Sequence, residues 1–233
     1  MERWENKVAV VTGASSGIGA AVLEALVKAG LTVIGLARRT VKAEEEIKKT
    51  LNAEQQRRAI IKSCDVTDEK SVAAVFEQIC KIYGGVDVLV NNAGCAKGGL
   101  LADMDPKDVQ TVVNTNVLGR FNGHIFHINS ILGHNVLKME NSAANIYPAT
   151  KFAVTAMTEV LRHELNLMKT KIKVTSISPG LVSTEIINDK VKEALKDRIL
   201  QPEDIANGIL YALGTPPHVQ LHELTIRPVG ETF

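Results

Sequence analysis

Short apolar runs alternate with helical patterns along the whole chain. Val8–Thr12 is a continuous run of Val and Ala bounded by Gly13, the pattern of a buried strand. Gly17 to Ala29 follows as a helix stopped at Gly30. Thr32–Ala37 predicts a second strand, Val41–Leu51 a charged and exposed helix, and Ala59–Ser63 a third strand. Val72, Val75, Phe76 and Ile79 recur at helical spacing and give the next helix one apolar face. Val86–Val90 is a fourth strand, and Asp105–Leu118 a helix with Pro106 in its first turn. Ile125–Asn129 is a fifth strand, Pro148–Met168 a long helix and Lys173–Ser178 a sixth strand. Pro202–Leu213 is a helix and Glu223–Arg227 the last strand.

This alternation predicts a doubly wound α/β architecture, a parallel sheet covered on both faces. Ligands of such sheets bind beyond the carboxyl ends of the strands, where the strand order reverses. No repeat, low-complexity tract or Pro/Gly-rich linker divides the 233 residues, so one domain is expected.

Composition removes several classes. A hydrophobic fraction of 45% and a charged fraction of 23% are those of a globular protein. A net charge of +1 and 4% aromatic residues argue against a nucleic-acid partner. No uncharged apolar stretch has the roughly 18 residues of a membrane helix. The charged start, Met1 to Lys7, lacks the pattern of a secretory signal. Cys64, Cys80 and Cys95 show no paired spacing, which suits reduced thiols and a cytoplasmic home.

Candidate chemistry starts at Thr12-Gly13-Ala14-Ser15-Ser16-Gly17-Ile18-Gly19, after the first strand and opening the first helix. The backbone has to turn sharply at Gly13 and approach a pyrophosphate near Gly17, while Gly19 lets the helix pack on the strand. Free amides at the helix start then face the phosphates. A tight strand–helix turn would use the same glycines, but the strand–turn–helix context favours a dinucleotide. The second strand ends Gly35-Leu36-Ala37-Arg38-Arg39, with no carboxylate before Val41 to hold ribose hydroxyls. Arg38 and Arg39 suit a 2′-phosphate, hence NADP(H) over NAD(H), unless they form a solvated basic loop.

Tyr147 and Lys151 are four apart at the start of the long helix, so phenol and ammonium share a face. A tyrosine ordinarily titrates near pH 10. A nearby ammonium and an oxidised nicotinamide are expected to lower that value toward a working base. Ser130, ending the fifth strand, could hydrogen-bond a substrate oxygen. Each residue alone would read as a surface helix start or a strand-end cap.

Together these pieces resemble the short-chain dehydrogenase/reductase family. The matching residues are Thr12–Gly19, Asp65-Val66, Asn91-Asn92-Ala93-Gly94, Asn116, Ser130, Tyr147 with Lys151, and Pro179-Gly180 with Thr184, in the family's order. The start and the Gly35–Arg39 stretch look most like the insect farnesol dehydrogenase group. The resemblance implies a Rossmann-type fold and hydride exchange between a nicotinamide and an alcohol or carbonyl substrate. A lipophilic alcohol such as farnesol is the substrate expected. Tyr147 would be the general acid/base, Lys151 would hold the nicotinamide ribose and tune Tyr147, Ser130 would orient the substrate, and Asn116 would hold a relay water. Gly13, Ser15, Ser16, Gly17, Ile18 and Gly19 would cradle the cofactor. Asp65 and Val66 would flank the adenine, and Asn92, Ala93 and Gly94 the ribose. Pro179, Gly180 and Thr184 would meet the nicotinamide end, Thr184 at its carboxamide.

One departure stands out. After Asn116 the chain reads Val117-Leu118-Gly119-Arg120-Phe121-Asn122-Gly123-His124 and goes straight into the fifth strand. The family continues its fourth crossover helix for several more turns. If Asn116 keeps its family place, only Arg120–Gly123 remain to return along a sheet roughly 20 Å tall, and four residues span at most about 14 Å. If Asp105–Leu118 makes the return itself, roughly 21 Å as a helix, Asn116 lands at the wrong end. The shortened helix therefore allows a second expectation, a nucleotide-binding variant that has lost catalysis. The family's usual homodimer uses this helix, so the shortening counts against it.

Other residues add less. His124 and His127 are three apart on a strand and point to opposite faces, while His218 and His222 follow Pro216-Pro217 without helical context. No metal site is expected, and loop or surface positions suit them. Cys95, just after Gly94, would border the substrate cleft or act as an inert small hydrophobe. Leu181, Val182, Ile186, Ile187 and Val191 suit either a lid over a lipophilic substrate or core. Glu44-Glu45-Glu46 with Lys48-Lys49 reads as a solvated helix face.

Overall fold

Seven parallel strands form one sheet in a computed structural model of the chain. The structure describes residues 1–95, 124–136, 145–187, 189–195 and 198–231. Asn116, Asp105–Leu118 and the shortened crossover lie outside the described residues.

The first half of the chain builds β1 (Val8–Thr12), α1 (Gly17–Lys28), β2 (Thr32–Ala37), α2 (Thr40–Thr50), α3 (Ala53–Gln56), β3 (Ala59–Ser63), α4 (Glu69–Tyr83) and β4 (Val88–Asn91). The second half builds β5 (His124–Ile128), α5 (Tyr147–Leu167), β6 (Lys173–Pro179), α6 (Asp189–Ala194), α7 (Pro202–Gly214) and β7 (Glu223–Ile226). The sheet order is β3-β2-β1-β4-β5-β6-β7. The chain runs outward from β1 to one edge, then returns to place β4 against β1 with Val11 opposite Val90. The order reverses there, so the carboxyl ends of β1 and β4 flank the crevice expected to take a ligand.

Alternation within the strands explains why both faces are covered. Ala9 and Val11 face α1 and α7, where they meet Val22, Leu26, Ile205 and Ile209. Val8 and Val10 face the other way, onto Val75, Phe76 and Ile79 of α4. Every residue of β1 is buried, as continuous hydrophobicity requires of a central strand. Local signals set several helix ends. Asp68 caps α4 by accepting the Lys70 amide, and Gly84 ends it at φ +79°. Pro202 opens α7 behind a Gln201–Asp204 capping box.

Several boundaries move by one or two residues from the sequence expectation. β4 starts at Val88 rather than Val86, and β5 covers His124–Ile128, placing Asn129 just past its end. α3, the 3₁₀ turns Glu2–Trp4 and Ile131–Gly133, and α6 were not expected. They are one or two turns long, too short to show a hydrophobic period.

The expectation of loop or surface histidines is corrected at two positions. His124 and His127 are buried, because β5 is an interior strand with both faces covered. Thr175 donates its hydroxyl to Leu221, so its oxygen accepts from His124 Nε2 at 2.9 Å, and Nδ1 is left as an acceptor with no partner among the described residues. By the same reasoning Thr158 donates to Val154 and accepts from His127 Nδ1 at 2.7 Å. The Glu46–Lys49 pair on α2 is solvated, as expected.

Candidate active site

The site forms where the ends of β1, β4, β5 and β6 meet the starts of α1 and α5. Thr12 ties the first two strands together. Its hydroxyl accepts the amides of Asn92 and Ala93, each at 3.0 Å, while Asn92 Nδ2 donates to the Thr12 carbonyl at 2.8 Å. The turn between β1 and α1 packs into this clasp. Gly13 has φ +69° and Gly17 φ +58°, a region that favours glycine. A Cβ on Gly19 would lie 2.4 Å from both Asn92 Nδ2 and the Gly13 carbonyl oxygen. Gly19 therefore permits the close helix–strand approach read from the sequence. Ser16 is the N-cap of α1 but makes no side-chain cap bond, so its side chain leaves the first amides of the helix uncapped.

Beyond this turn lies a cluster of charges. Arg39 donates to Ser15 Oγ at 3.3 Å, to Ser16 Oγ at 3.1 Å and to the Glu185 carboxylate at 2.9 Å. Lys42 binds the other oxygen of the same carboxylate. Lys42 first, then Arg39, holds the Glu185 carboxyl down at about 2. Arg38 lies 3.9 Å from Asp65, whose carboxylate accepts the amide and hydroxyl of Thr67 at 3.0 and 2.7 Å. Those Thr67 bonds, with Arg38, keep Asp65 below its usual range. An open groove runs along α2, lined by Arg38, Arg39, Lys42, Glu45, Glu46 and Lys49. Sequence reading missed Lys42 and Glu185. Neither belongs to a motif, and Glu185 meets Arg39 across 146 positions, a separation that leaves no local signal.

The second half of the site gathers Ser130, Tyr147, Lys151 and Cys95. Ser130 caps the Ile131–Gly133 turn, its oxygen accepting the Leu132 amide at 3.1 Å, and its hydroxyl also hydrogen-bonds the Tyr147 phenol. Lys151 is buried, with Nζ 5.5 Å from the Tyr147 ring centre. That ammonium donates to the Ile128 carbonyl at 2.8 Å. Asn129 braces the turn by donating to Thr155 at 2.9 Å, and Thr155 donates to Gly133 at 3.0 Å. Cys95 is close enough to Tyr147 to act on its titration, so it borders the site.

Burial pushes the Tyr147 phenol up to about 12, only partly offset by Ser130. Burial also brings Lys151 down to about 8. Desolvation is the largest cause in each case, and the ammonium bonds the β5 backbone at Ile128.

The remaining expected residues distribute along the crevice. Pro179 ends β6, and the Gly180 amide donates to Ile226 at 2.7 Å. Thr184 rests on Gly17, its Cγ2 3.1 Å from where a Cβ would stand. The apolar stretch after Gly180 divides between its two readings. Val182 is buried, in the core, and bridges to Leu200, whereas Ile186 is exposed. The Val191 side chain lies outside the described residues, as does Asn116. Among the described residues no cluster of His, Cys, Asp and Glu could hold a metal ion.

Comparison with known proteins supplies the family. The model of the short chain dehydrogenase family matches residues 7–195. A farnesol dehydrogenase of Aedes aegypti is 49% identical, with the whole of both chains covered. Dehydrogenase/reductase SDR family member 11 of Homo sapiens is 38% identical over 99% of this chain and 97% of its own. An alcohol dehydrogenase of the archaeon Thermococcus sibiricus, solved with 5-hydroxy-NADP, superposes with a TM-score of 0.83 at 25% identity, covering 97% of this chain and 98% of its own. This chain belongs to the short-chain dehydrogenase/reductase family and has its oxidoreductase fold. The mosquito alignment runs over 249 positions against 233 residues here, so at least 16 of them have no counterpart in this chain.

Proposed function

We propose that this short-chain dehydrogenase is an NADP(H)-dependent alcohol dehydrogenase/carbonyl reductase, acting on a lipophilic alcohol such as farnesol and its carbonyl partner. The observation that carries the reading is the Ser130 hydroxyl bonded to the Tyr147 phenol, with the Lys151 ammonium beside the same ring. The whole chain, 1–233, acts as one NADP-binding domain.

The residues fit a dinucleotide. Gly13 and Gly17 open the turn, α1 presents amides that the Ser16 side chain leaves uncapped, and Arg38 and Arg39 supply positive charge where β2 ends. No carboxylate between Gly35 and Val41 competes for ribose hydroxyls, which favours a 2′-phosphate. That the similar archaeal structure was solved with 5-hydroxy-NADP supports the same choice. Asp65 and Val66 flank the adenine, Asn92, Ala93 and Gly94 the ribose, and Pro179, Gly180 and Thr184 the nicotinamide end.

A bound nicotinamide dinucleotide supplies or accepts the hydride. Tyr147 gives its phenolic proton to the carbonyl oxygen in reduction and takes the hydroxyl proton in oxidation. Ser130 holds the same substrate oxygen against the phenol. Lys151 places positive charge beside the ring, favouring the phenolate that forms. Asn116 holds a water of the proton relay. The exposed Ile186 offers apolar surface near the crevice for an isoprenoid chain, and the 49% identity to a farnesol dehydrogenase supports that substrate. Cys64 and Cys80 form no disulfide, which suits a cytoplasmic enzyme.

A second reading, cofactor binding without catalysis, is favoured by the aligned positions that this chain lacks. One experiment separates the two. NADPH and NADH are titrated by fluorescence, then oxidation of farnesol and simple secondary alcohols is assayed with NADP⁺ and NAD⁺. Tighter NADPH binding with farnesol turnover supports the enzyme. Binding without turnover selects the second reading, and absence of binding rejects both.

A further inference from the structure

Two positive groups at the proposed 2′-phosphate site are already neutralised by a carboxylate of the same chain. Glu185 arrives from the segment after β6 and places one oxygen 2.9 Å from Arg39 Nη2 and the other on Lys42. The same carboxylate accepts from Ser16 Oγ at 3.2 Å, while Arg39 reaches both Ser15 and Ser16. These partners, two cations and the hydroxyls of the glycine-rich turn, are the set that would recognise a phosphate group. Next to it, Thr184 rests on Gly17.

We propose that Glu185 is an internal stand-in for the cofactor's phosphate and, by competing for Arg39 and Lys42, sets how strongly the protein prefers NADP(H) to NAD(H). The inference rests on the cofactor reading above. An incoming 2′-phosphate either displaces the carboxylate or accepts its repulsion, and both lower its affinity. A cofactor without that phosphate leaves the carboxylate where it is.

The ion pairs are about half exposed, so the competition is modest and salt-sensitive. The test uses the full chain and Glu185→Gln, which keeps the shape and removes the charge. NADPH and NADH are titrated by fluorescence at low and at high salt, with melting temperatures as a folding check. Glu185→Gln is expected to tighten NADPH about three- to tenfold at low salt, while NADH changes by less than about twofold. The gain is expected to shrink at high salt and to vanish when Arg39→Gln and Lys42→Gln are added. Unchanged or weaker NADPH binding by Glu185→Gln, or equal tightening of both cofactors, overturns the proposal. Failure of the unaltered chain to bind either cofactor overturns the cofactor reading instead, and is seen before any variant is made.

Discussion

Lys151 Nζ lies 5.5 Å from the centre of the Tyr147 ring but donates its hydrogen bond to the Ile128 carbonyl, 2.8 Å away. The ammonium is therefore held by the strand end and set beside the ring. The phenol is high, at about 12, because burial disfavours its charged form.

Ultraviolet difference titration of the unaltered chain against Tyr147→Phe tests this relationship. In the free protein no phenolate attributable to Tyr147 is expected below about pH 11. With saturating NADP⁺ its ionisation is expected to move down by at least one pH unit. An unmoved titration would remove Tyr147 as the base. Tyr147→Phe is expected to lower turnover about 10²- to 10⁴-fold with NADPH binding preserved.

Lys151 has a stability cost that its chemistry explains. Burial lowers its folded pKa to about 8 against an unfolded value near 10.5. Between those values the unfolded chain binds more protons, so stability is expected to rise as pH increases from about 8 to 10.5. Lys151→Met should flatten that rise and melt no lower than the unaltered chain at pH 7, while losing turnover. A large drop in melting temperature would show that the bond to Ile128 outweighs the cost of the buried charge.

Acid should weaken the fold through β5. Burial first, then Lys173 and Arg3, brings His124 down to about 3, and burial with Lys151 and Arg162 brings His127 to about 4. Both folded values are depressed, so their contribution is complete above about pH 6.5 and is lost as pH falls toward the folded values. Denaturant unfolding at pH 7.5 and pH 5 should show it, each histidine contributing up to about 1.4 kcal/mol per pH unit below 6.5. His127→Gln is expected to shed part of that slope. An unchanged slope would assign the acid sensitivity elsewhere.

Gly19→Ala tests the approach of α1 to β1. Alanine is the better helix former by about 1 kcal/mol, yet its Cβ would stand 2.4 Å from the Gly13 carbonyl oxygen and Asn92 Nδ2. One contact is backbone and cannot yield cheaply. The variant is expected to lose about 1–3 kcal/mol in denaturant unfolding and to weaken NADPH binding. A neutral or stabilised variant would show that the turn relaxes freely.

The amino terminus closes the far end of α7. Trp4 Nε1 donates to the Leu213 carbonyl at 2.8 Å, Arg3 Nη2 donates to the same oxygen at 2.6 Å, and Arg3 also reaches Thr215. These bonds satisfy carbonyls that a helix end leaves open. Trp4→Phe should cost about 1 kcal/mol, a melting shift of about 2–4 °C by calorimetry. No shift would mean that Arg3 alone suffices.

Among the described residues, the sequence by itself determined the strands, the long helices and the position of the crevice. Continuous apolar runs such as Val8–Val11 have few stable placements besides a covered parallel strand, and Gly13, Gly17 and Gly19 occur where the backbone must turn and pack closely. The four-residue step from Tyr147 to Lys151 likewise fixed a shared helix face, because that spacing is local. Tertiary structure alone decided what each charge meets. Glu185 joins Arg39 and Lys42 from 146 and 143 positions away, and burial pushed the Tyr147 phenol up and turned His124 and His127 into neutral core groups. Local geometry follows from the order of neighbouring residues. The dielectric surroundings and partners of a charged group depend on which distant segments the fold packs around it.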